Sequence, residues 1–246
     1  MRYIYILLIL GCFSCNNERV LQLPEIENAE VTEVLDVSPA YIFYDETQPD
    51  STLLNRKNLI TTTNWLVNVD KRLTLRQAIP HIKFLQDKKR NAEMHKNEDA
   101  KNYFTCNDTS IGTLGFLEFT DVNYTFSNDE MDFRVSEIID DINLIKRDTI
   151  LIEKLSKTSH KGPDITQVFE VKFDLNDIYF GATKIKRELL SDYVNFLIEN
   201  NILTDFFILK LYFNKSLLFQ DYISLKSELS KLESDKITID INEFIY

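Results

Sequence analysis

Asn64-Trp-Leu-Val-Asn-Val-Asp70-Lys71-Arg72-Leu73-Thr74-Leu75 is the stretch that decides the fold of this 246-residue chain. Residues 64–70 alternate, with Trp65, Val67 and Val69 on one side, the period of a strand with one buried face. Lys71-Arg72 turn the chain. Leu75, Ile79, Ile82 and Leu85 then recur at helical spacing within Thr74–Lys89. Pro80 falls inside that pattern and either kinks the helix or marks its first turn. A half-buried strand feeding an amphipathic helix calls for a layer of sheet against a layer of helix. The fold class is therefore read as α+β, with mixed or antiparallel sheets and helices on one face.

The flanks follow the same logic. Ala40-Tyr-Ile-Phe-Tyr-Asp45 is rich in aromatic and β-branched residues and reads as a strand, with a shorter one over Val31–Val37. Pro49 breaks the chain within Glu46–Asp50. Arg90–Lys101 is charged and reads as loop, Thr113–Thr120 as strand, and Val122–Phe126 as its continuation or another strand. Val135, Ile138, Ile139 and Ile142 form one stripe, which predicts a helix over Val135–Lys146. Residues 156–165, with Gly162-Pro163, read as a linker. Beyond it come a strand at Gln167–Asp174, a helix over Lys184–Asn200, a strand at Phe206–Phe213, a helix carrying Tyr222, Leu225, Leu229 and Leu232, and a terminal strand ending at Tyr246.

This ordering divides the chain into an N-terminal half, 31–155, and a C-terminal half, 166–246. Trp65–Asp70, Leu73–Lys89 and Leu114–Thr120 make strand–helix–strand. Ile208–Phe213, Asp221–Leu232 and Ile237–Asn242 repeat that order, and a polar pair, Asp70-Lys71 or Asn214-Lys215, leaves the first strand each time. A divergent duplication and a chance recurrence of a common unit both fit. Over Asn64–Lys89 and Phe206–Asn242 the pattern resembles the periplasmic domain of the biopolymer-transport energisers that work beside proton-driven membrane motors. The resemblance implies an envelope scaffold or partner-binding module. Motor activity is not implied, because those proteins carry a transmembrane helix with an aspartate in the proton path and none is read here.

The N-terminus supplies location. Met1-Arg-Tyr-Ile-Tyr-Ile-Leu-Leu-Ile-Leu-Gly-Cys-Phe-Ser-Cys15 has a positive start, a short apolar run and small residues before two cysteines. The run is under half of the roughly 20 residues a membrane span needs. It resembles the lipobox of bacterial lipoproteins, of the Bacteroidota type when read at Cys15. The resemblance implies a signal peptide over 1–15 and acylation of Cys15, the favoured register, or of Cys12. Residues 16–30 then read as a tether. Only Glu18 follows before Arg19, so the expected location is the cell envelope, anchored through lipid to the outer membrane and facing the periplasm.

Composition narrows the function. Twenty-eight basic residues against 39 acidic ones disfavour nucleic acid as a partner, since phosphate neutralisation needs a basic face. Cys106 is the one cysteine of the body, so no disulfide framework forms, and it reads as a buried small hydrophobe or a free thiol. His81, His95 and His160 are far apart. His95 with Glu98, Asp99 and Cys106 is the one conceivable metal set, and a solvated loop explains it as well. Five glycines leave no phosphate-cradling loop, and the neighbouring carboxylates Asp140-Asp141, Asp45-Glu46 and Asp129-Glu130 do not face each other across a cleft. No catalytic residue, metal or cofactor is expected. Trp65, Tyr41 and Tyr44 are the candidate ligand face. The chain is expected to be a non-catalytic, lipid-anchored module that binds an envelope protein or supports assembly. A carbohydrate- or small-ligand-binding lipoprotein and a hydrolase with no recognisable motif are the alternatives.

Overall fold

The computed structural model describes residues 19–92, 97–127, 137–139, 167–200, 206–234 and 237–246. The alternation of the decisive stretch becomes β4 (Asn64–Val69), which buries Trp65, Val67 and Val69 on one face. β2 (Val37–Tyr44) and β5 (Asn102–Asp108) flank it, both parallel to it. β3 (Thr52–Asn55) returns antiparallel along β2 after a turn through Pro49–Ser51 and closes that side of the sheet. On β5 lie β6 (Thr113–Glu118), antiparallel, and β1 (Glu25–Ile26), parallel to Asn107 and Asp108.

The second sheet runs, in spatial order, β7 (Asn123–Phe126), β13 (Ile237–Ile245), β12 (Phe207–Phe213), β9 (Gln167–Phe173), β10 (Asp177–Phe180), β11 (Thr183–Lys186) and β8 (Glu137–Ile139). The α-helices among the described residues are α1 (Leu75–Arg90), α2 (Leu190–Glu199) and α3 (Phe219–Ser230). The fold is thus α+β with mixed sheets. One continuous apolar core joins the halves. Phe104 of β5 stacks on Phe119 at 3.8 Å and meets Phe219 and Tyr222 of α3 edge-on. α1 runs through Pro80 and buries Leu75, Ala78, Ile79, Ile82 and Leu85.

The two strand–turn–helix units match bond for bond. Asp70 N–H donates to Ile42 O and Asn214 N–H to Phe173 O, each at 2.9 Å. Leu73 N–H reaches back to Asp70 O at 3.1 Å, and Leu217 N–H to Asn214 O at 3.0 Å. Oδ1 of Asp70 accepts from Arg72 N–H, and Oδ1 of Asn214 from Ser216 N–H, the side-chain turn that short polar residues favour. In each half the strand before the turn lies between two parallel neighbours; β2 and β5 both begin hairpins in the first half, and β9 does so in the second.

Several expectations change. The strand that closes the first unit is β5, and Leu114 lies in β6, antiparallel to it. β5 is buried on both faces except at Asn107, so it shows no alternation to read. The helix expected from Lys184 starts at Leu190, because Thr183 and Ile185 are buried as alternate residues of β11. Ile138 and Ile139 of the expected Val135–Lys146 helix lie in β8, since a short apolar run does not distinguish strand from helix. The remaining residues of that segment lie outside the described residues. Val31 makes only an isolated bridge with Phe116.

The division into halves also differs. β7 and β8 precede residue 156, yet both pair in the second sheet. Residues 156–165 themselves lie outside the described residues. Nor is the stretch to residue 30 a free tether from Gln22 onward. Gln22 exchanges bonds with Asp70 and Lys71, Pro24 O accepts from Asn107, Ile26 enters the core, and Ala29 N–H donates to Asp108.

Candidate functional site

β3 lies at the end of the strand order of the first sheet. The turn before it holds Asp50 and Ser51 in the left-handed region, φ 54° and 53°, which is costly for residues with a Cβ. α1 holds that turn in place: Gln77 Nε2 donates to Asp50 O at 2.7 Å, and Thr52 Oγ1 meets His81 Nε2 at 3.0 Å. β3 then lies along β2 in the register Tyr44–Thr52 to Tyr41–Asn55. Its other side has no strand beside it among the described residues.

A groove of roughly 430 Å³ follows this edge, lined by Arg19, Leu53, Leu54, Asn55, Arg56 and Lys57. The Arg56 guanidinium sits 4.9 Å from the centre of the Phe84 ring of α1, a cation–π contact that orders it. Arg19 Nε donates to Asp45 Oδ2 at 3.1 Å. The Thr47 hydroxyl and N–H, and then Arg19, hold the Asp45 carboxyl below the usual carboxylate range. Arg56 and Lys57 have no ion-pair partner among the described residues, and both are exposed. A basic, open sheet edge can recognise a backbone by hydrogen bonds and an acidic side chain by charge.

The candidate ligand face does not assemble. Trp65 is 1 % exposed, its Nε1 donates to Ile60 O at 2.7 Å, and the Lys89 ammonium lies 5.1 Å from its ring centre. Tyr41 projects from the opposite face, stacked on Phe43 at 5.8 Å. Tyr44 sits at the strand end under Arg72, 4.8 Å away, with its hydroxyl on Glu46. Alternation along β2 and β4 sends these rings to different sides, which spacing along the chain conceals.

His81 meets a hydroxyl rather than a carboxylate, and burial lowers its pKa. His95, His160, Cys12 and Cys15 lie outside the described residues. Cys106 is fully buried, and burial pushes its thiol up to about 12. Among the described residues no group of three or more His, Cys, Asp or Glu side chains is placed to hold a metal ion.

One polar network was not legible in the sequence. Glu243 of β13, 0 % exposed, accepts from Tyr222 Oη at 2.7 Å and from Lys226 Nζ at 2.6 Å, and Tyr124 of β7 lies 3.1 Å from the Tyr222 hydroxyl. Burial, reinforced by the nearby Glu243 charge, drives both phenols well up. The network is buried except at the Lys226 side chain and ties β7 to α3 and β13. The only sequence trace of it is an acid breaking the apolar pattern of the terminal strand.

No family model, curated protein or solved structure matches the chain. No described helix is long and apolar enough to cross a membrane.

Proposed function

We propose that this chain is a lipid-anchored, non-catalytic protein of the bacterial cell envelope that binds another protein or supports assembly, held in the outer membrane and facing the periplasm. The observation that carries the binding role is the open edge of β3 with its basic groove. An exposed edge is a liability that proteins commonly blunt, so one held in place by α1 favours use in pairing. The anchoring role rests on the leader, read at Cys15 with Cys12 as the alternative register. The likeness of the strand–turn–helix units to periplasmic domains of biopolymer-transport energisers points the same way.

Two measurements test the reading. Metabolic labelling with an alkyne fatty acid should mark the protein and be lost in Cys15→Ala; undiminished labelling moves the anchor to Cys12, and no label in either protein removes the anchor. Photocrosslinking in intact envelopes from a benzophenone residue at position 53 should trap a distinct protein. A uniform background of crosslinks there and at other surface positions would refute the binding role.

A second reading, a binder of carbohydrate or another small ligand, draws on the half-exposed Tyr41–Phe43 stack. It requires glycan binding that disappears in Tyr41→Ala.

A further inference from the structure

We infer that β3 accepts an extended, acidic protein segment as an added strand, with the segment's backbone completing the sheet edge and its carboxylates meeting Arg56 and Lys57. This rests on the protein-binding reading above and names the chemistry of the partner.

The backbone supplies the first argument. Among the described residues, Leu53, Leu54 and Asn55 form backbone ladder bonds with β2 alone. Every second N–H and C=O of an edge strand points away from its neighbour, and these groups are the template for strand addition. The turn at Pro49–Ser51 and the α1 contacts to Asp50 and Thr52 fix the edge before any partner arrives. Less ordering is then lost on binding.

Charge supplies the second. The chain as a whole is at −11, yet the groove along this edge is lined by Arg19, Arg56 and Lys57 and by no acid, and although Arg19 is paired with Asp45, Arg56 and Lys57 have no ion-pair partner among the described residues. Arg56 is already ordered by its contact with Phe84 of α1, a residue 45 % exposed. Lys57 follows it directly. Arg56 and Lys57 are consecutive residues just past the end of β3, and side chains of a paired strand alternate between faces, so a segment carrying acids on both faces can bring a carboxylate to each. A basic segment meets repulsion at the same place.

The test uses the purified full chain and a fluorescent peptide of about eight residues in which pairs of glutamates alternate with pairs of valines, so that both faces carry acid. The peptide should bind, and R56E/K57E should weaken it roughly tenfold or more, as should replacement of its glutamates by lysine. Methylating alternate backbone nitrogens of the peptide should abolish the pairing by a similar factor, with no change to the protein and hence no question of its folding. Equal binding of the methylated peptide would reduce the contact to simple charge attraction and overturn the inference. So would unchanged binding to R56E/K57E, no binding at all, or peptide binding matched by vesicles of anionic lipid competing at the same residues. Self-association through β3, seen as dimers that the peptide fails to dissociate, would overturn it too. If an envelope protein crosslinks at another surface while the peptide fails, the partner inference falls and the binding role stands. If the peptide binds but no lipid label is found, the partner inference stands and the anchor falls.

Discussion

Thr74 and Leu218 form an antiparallel bridge, and each is the residue immediately before a helix. Leu75 N–H donates to Leu217 O at 2.9 Å, and Phe219 N–H to Leu73 O at 2.6 Å. The first amides of a helix have no partner within it. Here each half supplies one for the other, which is how Leu218, a poor capping residue, can stand before α3. Thr74 adds the familiar local device, its N–H donating to Gln77 Oε1 at 2.8 Å.

This bridge predicts that the halves unfold together. Leu217 is fully buried, and Leu217→Ala should cost about 2–5 kcal/mol, the range for emptying a packed leucine site. Trp65, in the other half, reports the first sheet. In a denaturant titration its fluorescence midpoint should move with the far-UV circular dichroism midpoint of the variant. A Trp65 midpoint left at the wild-type position would show that the halves are independent.

Glu243 and Lys226 are a buried pair, with side-chain exposures of 0 % and 12 %. Removing one partner strands the other, so Glu243→Leu should destabilise by about 3–5 kcal/mol. Adding Lys226→Met should restore much of that loss, because two apolar groups need no partner. Urea unfolding of both variants checks the pair, and a double variant weaker than the single one would contradict it.

Thiol titration links the anchor to the core. Burial keeps the Cys106 thiol protonated up to about 12, so it should not react with a disulfide reagent at pH 8 until the protein unfolds. A mature chain acylated at Cys15 would then show no reactive thiol when native and one when denatured. Acylation at Cys12 leaves Cys15 in the mature chain as a second thiol, and denaturation should then reveal two thiols in total.

Asp108 fastens the N-terminal segment. Its carboxylate accepts from the Ser110 hydroxyl at 2.6 Å, from Ala29 N–H at 2.7 Å and from Ser110 N–H at 2.9 Å, bonds that draw its pKa down to about 2. A depressed folded value means the stabilisation is complete above the unfolded pKa of roughly 4 and fades as pH falls from there towards 2. Hydrogen exchange over residues 22–31 should accelerate across that window relative to β4. Asp108→Ala should show fast exchange of the same segment at pH 7. Unchanged protection in the variant would mean that Ile26 and the β1–β5 pairing hold the segment unaided.

Much of the fold was legible where one face alone is buried. β4, α1, β9 and α3 announce themselves through period because one face of each is less buried than the other, and β12 through its aromatic and β-branched content. β5 and β11 did not, the first because it is buried on nearly every side, the second because its alternation spans four residues and runs directly into the helical spacing that follows. β3 has four half-buried residues and no alternation at all. The basic pair Arg56-Lys57 was visible as letters, but its meaning depends on lying beside an open edge and over Phe84.

By itself, then, the sequence determined the α+β class, the strand–turn–helix unit and its recurrence, since those follow from local periodicity and from Asp70 and Asn214 closing their own turns. The tertiary structure alone decided the rest. It placed β7 and β8 in the second sheet, seated Glu243 between Tyr222 and Lys226, separated Trp65 from Tyr41, and left β3 at an edge. Strand partners and buried polar pairs are set by contacts between residues distant in the chain. No local pattern encodes which of several compatible strands will lie alongside.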